Sequence, residues 1–284
     1  MISVDTTEEL KVLSLCTGYG GIERGIRLTG QKLRTITHVE IETYAIANLV
    51  SKMESGEMDP CPIWTDVKTL PTEPFRGVVD LLTGGYPCQP FSNAGKRRGE
   101  DDPRHLWPHI SRLISDIRPR RCFFENVEGH ISMGLSTVIS DLEDLGYAVS
   151  WGIFSAKEVG APHQRKRVFI LADTCSSRLQ RIKRNGDDNS ETEGWQESDD
   201  GSIAECYYDR FPSGPGSDQN DWEEPRTIES RLGGTTDGPS HRIDRLRLLG
   251  NGVVPQTAAL AWNTLSKYLH VRTDAGRYDW FFTK

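Results

Sequence analysis

The 284-residue chain has no run of about 18 apolar residues, the length that a membrane-spanning helix needs, so no membrane partner is expected. Its opening stretch, Met1–Leu10, is acidic and lacks an apolar segment, so a secretory signal is not expected there. The six cysteines (Cys16, Cys61, Cys88, Cys122, Cys175 and Cys206) include no Cys-x-x-Cys pair and no tight framework spacing. In a chain of this length they read as reduced thiols of a cytoplasmic protein rather than as disulfides. No internal repeat is found. Positive charge is also in short supply: 34 Lys and Arg face 41 Asp and Glu, a net charge of −7. Taken over the whole chain, that balance speaks against a nucleic-acid partner. What is present is ordinary for a globular enzyme: 36% hydrophobic residues, 26% charged residues and 27 glycines. The length suits one large domain or two modest ones with a sizeable core.

The first 172 residues alternate short apolar runs with helical patterns. Lys11–Leu15, Thr37–Ile41, Val78–Leu82, Arg121–Phe124 and Val168–Ala172 are the expected strands. Among the helices, Leu135, Val138, Ile139, Leu142 and Leu145 form one apolar stripe, closed by Gly146. Strand–helix alternation with glycine at strand ends predicts an α/β fold with a mostly parallel, Rossmann-like sheet. Its site should lie at the carboxyl ends of the strands. Composition changes near Asp173. From Asp173 to Ser240 there are 16 acidic and 7 basic residues, a net of −9, which leaves +2 on the remainder. This stretch cannot bury a core of its own, and Asn185–Gly201 in particular is expected to be loop or disorder. Apolar character returns from Ile243 to Leu269, where Pro255 suits a helix start and Ala258, Ala259, Trp262, Leu265 and Leu269 form one face. The expected plan is a catalytic and cofactor-binding body over 1–172, an irregular insert over 173–241, and a return to the body over 242–284.

Several segments carry chemistry. Gly18, Gly20 and Gly21 follow the first strand, where glycines let the backbone turn tightly beside a ligand. They do not spell the Gly-x-Gly-x-x-Gly dinucleotide pattern, because position 23 is Glu. Glu40 ends the second strand, where an acid can accept from ribose hydroxyls, and Asp66 follows one step later. Each alone is an ordinary solvated acid; with the glycines they outline a nucleoside crevice. Cys88 sits just after the third expected strand between Pro87 and Pro90, a loop position that suits a nucleophile better than a core filler. Lys96, Arg97 and Arg98 continue that loop between Gly95 and Gly99 and could close on a phosphate backbone. Glu125 follows Cys122-Phe123-Phe124, so its carboxyl should be desolvated, with a raised pKa that lets it donate a proton. Arg165 and Arg167 should share one side of an extended segment and hold a carboxylate or phosphate. His105 and His109 are four apart, but Pro108 between them and the lack of further ligands speak against a metal site, and none is expected.

Together these segments resemble the DNA (cytosine-5)-methyltransferase family of bacterial or phage type. The likeness rests on Pro87–Ser92, on Glu125-Asn126-Val127, on the Arg165/Arg167 pair and on Leu249–Pro255, in that order, and spans Lys11–Ala172 and Arg242–Leu269. It implies an S-adenosyl-L-methionine-dependent enzyme that methylates C5 of a flipped-out cytosine in duplex DNA. By resemblance, Cys88 is the nucleophile that adds to C6, Glu125 engages N3 and the exocyclic amine, and Arg165, supported by Arg167, orients the base and its carboxylate partner. Cys16, Gly18, Gly20, Gly21, Glu40, Ile41, Asp66, Val67, Pro87, Leu106 and Asn251 match the family's cofactor contacts. Gln89, Ser92, Lys96, Arg97 and Arg98 are the expected DNA contacts.

The chain departs from the family at Ser14, where many members carry Asp, at Cys16, where Phe is usual, and at His163, where Gln is commonest. The first two are expected to loosen the cofactor pocket on that side. The insert occupies the family's target-recognition slot. Its basic start (Arg178, Arg181, Lys183, Arg184) suits phosphate contact, and Trp222–Arg226 and Gly233–Gly238 are candidate base-reading loops. A monomer acting in the cytoplasm on nucleoid DNA, with a cognate restriction endonuclease, completes the expectation. The rival reading within the same fold is a tRNA cytosine-5 methyltransferase, which the sizeable insert disfavours. A binding module without turnover and a nucleotide-dependent oxidoreductase leave the Cys88, Glu125 and Arg165 set without a purpose.

Overall fold

The structure, a computed structural model, describes residues 8–87, 106–174, 244, 248 and 250–271. In chain order its elements are β1 (Leu10–Leu15), α1 (Gly21–Leu28), β2 (Leu33–Val39), α2 (Thr43–Glu54), β3 (Ile63–Trp64), β4 (Leu81–Gly84) and α3 (Trp107–Ile117). Then come β5 (Arg121–Val127), α4 (His130–Met133), α5 (Leu135–Asp144), β6 (Ala148–Ser155), β7 (Lys166–Asp173) and α6 (Pro255–Val271). The seven strands make one sheet in the order β3-β2-β1-β4-β5-β7-β6. Every pairing from β3 across to β5 is parallel, whereas β7 runs antiparallel to both β5 and β6.

The central strands read as continuous apolar runs because both faces of the sheet are covered. Along β1, β4 and β5 successive side chains alternate between two cores. Leu13, Leu15, Leu82 and Phe124 pack with Ile110, Leu113 and Ile114 of α3 and with Val138 and Leu142 of α5. Val12, Leu81 and Phe123 face the other way, onto Ile22 and Ile26 of α1 and Trp262 and Leu265 of α6. Trp262 meets Phe123 edge-on, with ring centroids 5.3 Å apart. α6 thus ties the C-terminal segment to the body, as its apolar face predicts. α5 ends as its stripe predicts, with the Tyr147 N–H donating to the Leu142 carbonyl just past Gly146.

Three expectations need correction. The second strand spans Leu33–Val39 rather than Thr37–Ile41, and Ile41 is 69% exposed beyond its end. β4 begins at Leu81, because Val78 belongs to the preceding turn, where its N–H donates to the Phe75 carbonyl. Two further strands, β3 and β6, complete the sheet. The chain leaves β1 for β2 and β3 on one side and returns at β4 on the other, so the sheet has a switch point between β1 and β4. In such sheets ligands bind at the carboxyl edge there.

Candidate active site

Five adjacent strands, β3-β2-β1-β4-β5, deliver the crevice at that edge. β1 runs into Cys16, which has φ 49°, and then into a turn in which Gly18 and Gly20 have φ 58° and 82°. Glu40 follows β2 and is buried; its Oε2 accepts from the Gly18 N–H at 2.7 Å and its Oε1 from the Glu42 N–H at 2.9 Å. Each carboxylate oxygen keeps a lone pair for a further donor, as a ribose diol would supply. Asp66 follows β3 and accepts from the Lys68 N–H at 2.9 Å, holding a short helical turn in which Val67 is buried. Exposed Ile41 offers an aliphatic face next to Glu40. A buried carboxylate with free lone pairs, a second acid and an open apolar face fit a nucleoside cofactor. The Cys16 thiol is pushed up to about 12 by burial and by the Glu40 charge, so it is a packing group and not a nucleophile. Ser14 does not leave a gap: its hydroxyl pairs with Thr17 Oγ1 at 2.9 Å, which lies 3.3 Å from buried His38 Nδ1.

β4 ends at Gly84, and the turn Gly85-Tyr86-Pro87 leads to Cys88. Tyr86 anchors this turn. Its ring packs between Trp107 and Phe124, its hydroxyl meets His130 Nε2 at 3.1 Å, and its carbonyl accepts from Asn126 Nδ2 at 3.2 Å. The turn passes directly beside the catalytic candidate on β5, since a Cβ on Gly85 would stand 3.4 Å from Glu125 Oε2. Pro87 is exposed at the rim. Cys88, Gln89, Ser92, Lys96, Arg97, Arg98 and His105 lie outside the described residues. Leu106 is half-buried against the core at the head of α3.

Glu125 is 6% exposed. Burial pushes its pKa up to about 7, against the opposing pull of Arg167 and Arg165. Arg167 Nε stands 2.9 Å from Glu125 Oε1, an ion pair in which that oxygen makes no hydrogen bond among the described residues. The strand direction explains the pairing. A parallel strand would start at the opposite edge, whereas antiparallel β7 starts opposite the end of β5, with Arg167 in register with Val127. The Arg pair divides its work. Arg165 is not extended but has φ 33°, and its Nη2 donates to the Gly252 carbonyl at 2.7 Å instead of sharing Glu125.

A family model for C-5 cytosine-specific DNA methylase matches residues 10–225, three quarters of the chain. The chain belongs to that family. Among curated relatives, the Type II methyltransferase M1.ScrFI of Lactococcus lactis subsp. cremoris is 33% identical over 171 residues, covering 58% of this chain and 42% of that protein. The Type II methyltransferase M.NaeI of Lentzea aerocolonigenes is 34% identical over 170 residues, covering 58% and 40%. The chain thus spans about two fifths of the length of these relatives. Among solved structures, a putative DNA modification methyltransferase encoded within an E. coli prophage aligns with a TM-score of 0.47 at 26% identity, covering 60% of this chain and 48% of that one.

The closing segment completes the crevice. Asn251 is exposed, and its neighbour Gly252 lies against the ring of Tyr19 in the glycine turn. Tyr19 does not stand out in the sequence because a residue between glycines looks like a spacer, and Lys52 does not because a helix lysine looks like a solvated charge. Lys52 Nζ instead donates to the Tyr19 carbonyl at 2.8 Å. No group of three or more His, Cys, Asp or Glu suited to a metal occurs among the described residues, and no described helix is long and apolar enough to cross a membrane.

Proposed function

We propose that this chain is a DNA (cytosine-5)-methyltransferase acting in the cytoplasm on a specific duplex sequence. The observation that carries this reading is the placement of Glu125. It is a buried carboxyl with a pKa of about 7, held by Arg167 and flanked by the turn that leads into Cys88. Cys88 would add through its sulfur to C6 of cytosine. Glu125, protonated, would donate to N3 and take up the charge that the addition pushes onto the ring. Arg167 fixes the carboxyl's orientation. Once C5 carries the methyl group, loss of the C5 proton to water expels the Cys88 sulfur and restores the aromatic ring. S-Adenosyl-L-methionine, when bound, supplies the methyl group to C5. Gly18, Glu40 and Asp66 would hold its nucleoside, and Asn251, with the glycine turn, its amino-acid end. A buried acid at the bottom of the strand-end crevice cannot reach a base inside a duplex, so the cytosine must leave the stack.

The insert over 173–241 is assigned to target recognition, and Gln89, Ser92, Lys96, Arg97 and Arg98 to DNA contact. The relatives named above are Type II methyltransferases, which supports a cognate endonuclease as partner. The test is incubation with tritiated S-adenosylmethionine and either duplex DNA or tRNA, for wild type and Cys88→Ala. Label at C5 of DNA cytosine, absent in the variant, is expected. A duplex carrying 5-fluorocytosine in the target site should trap the wild type covalently. Label on N4, label confined to tRNA, or equal trapping of Cys88→Ser would each reject the assignment.

A further inference from the structure

Tyr19 and Val253 are 234 residues apart in sequence, yet the Tyr19 hydroxyl donates to the Val253 carbonyl. The Tyr19 ring also lies so close to Gly252 that a Cβ there would stand 1.9 Å from Cε1 and 2.6 Å from Cδ1, a contact only glycine admits. Lys52 of α2 holds the same residue. Its Nζ donates to the Tyr19 carbonyl and stands 5.2 Å from the ring centroid. The preceding carbonyl of the closing segment, that of Gly252, accepts from Arg165 at 2.7 Å. Two successive carbonyls therefore bridge two halves of the crevice. Val253 faces the glycine turn through Tyr19, and Gly252 faces the arginine two residues before the one that pairs with Glu125.

We propose that Tyr19 is a positioning residue: it latches residues 252–253 onto the cofactor turn and so couples S-adenosylmethionine binding to the placement of Arg165 and of the base-activating Arg167–Glu125 pair. The proposal rests on the methyltransferase reading. A hydroxyl is well suited to the task, because it holds a backbone carbonyl that no side-chain change in the closing segment can remove. The ring meanwhile fills the space left by Gly252.

The test uses the full chain and Tyr19→Phe, which keeps the ring and deletes the hydroxyl. Binding of tritiated S-adenosylmethionine by equilibrium dialysis should weaken by about five- to tenfold, the effect of removing one hydrogen bond. The kcat at saturating cofactor and DNA should fall several-fold as well, because Arg165 loses its brace. Amide exchange across residues 250–254 should quicken. A purely structural role would lower the melting temperature while leaving kcat at saturation and cofactor affinity at wild-type values, and that result overturns the latch. Should Tyr19→Phe fail to fold, Lys52→Met loosens the same residue from α2 and must show the same paired loss; wild-type values there overturn the proposal too. Failure of the wild type itself to bind S-adenosylmethionine rejects the methyltransferase reading, and the exchange measurement still reports on whether Tyr19 holds the segment.

Discussion

At the scale of single residues, Glu125 carries the sharpest consequence. A folded-state pKa of about 7 against an ordinary glutamate value means that the native state holds a proton the unfolded chain has released. Stability from this group is therefore full below the unfolded pKa and falls as pH rises through about 7. The total is roughly 3 kcal/mol, on about 1.4 kcal/mol per pKa unit. Glu125→Gln is expected to flatten the dependence of melting temperature on pH between about 5 and 8, and to lower kcat by about 10²–10⁴, the usual worth of a positioned acid. A melting profile as steep as that of the wild type would place the titration elsewhere. The burial of this carboxyl was legible in the sequence, because a strand through Cys122, Phe123 and Phe124 must run through the core. The division of labour between Arg165 and Arg167 was not. It depends on φ 33° at Arg165 and on a carbonyl from Gly252, neither of which leaves a mark in residue type.

At the scale of elements, α1 and α6 show why the closing segment is part of the body. Gly25 of α1 lies so close to α6 that a Cβ would stand 2.4 Å from the Pro255 carbonyl oxygen and 2.7 Å from Ala258 Cβ. Gly25→Ala must push the helices apart. It is expected to cost about 1–3 kcal/mol, as overpacking does, read as a lower midpoint in urea, and to weaken cofactor binding because residues 252–253 move with α6. An unchanged midpoint would mean that the helices are not closely docked. α5 and α6 were legible because a helical stripe repeats over several turns. β3 was missed because it is two residues at the sheet edge, and β6 because its half-buried faces and central Gly152 give no continuous apolar run. Strand direction was the more consequential omission. Nothing in the apolar pattern of Lys166–Asp173 says that it runs antiparallel to β5, yet that direction alone brings Arg167 to Glu125. Only the resemblance, which pairs the arginines with the acid, pointed to the same edge.

At the scale of the whole molecule, the net charge of −7 is a sum over two unlike parts, −9 for Asp173–Ser240 and +2 for the rest. Affinity for duplex DNA depends on the cations that replace counterions at the phosphates and not on the total. The cations proposed for that role, Lys96, Arg97 and Arg98, follow Cys88 in the sequence of the body. Changing Lys96, Arg97 and Arg98 together to Gln is expected to make the plot of log affinity against log salt shallower by about 2 to 3 units, at about 0.9 for each phosphate that is no longer neutralised. Changing Asp199 and Asp200 together to Asn removes two negative charges from the acidic part of the insert. That double variant should shift the slope by less than about 1, because only groups at the phosphates release counterions. Fluorescence anisotropy with a labelled duplex across 50–300 mM salt separates the two outcomes. A slope that follows total charge, steepening in the Asn variant as much as it falls in the Gln variant, would show that the insert's acids face the DNA, and the assignment of Lys96, Arg97 and Arg98 as phosphate contacts would fall with it.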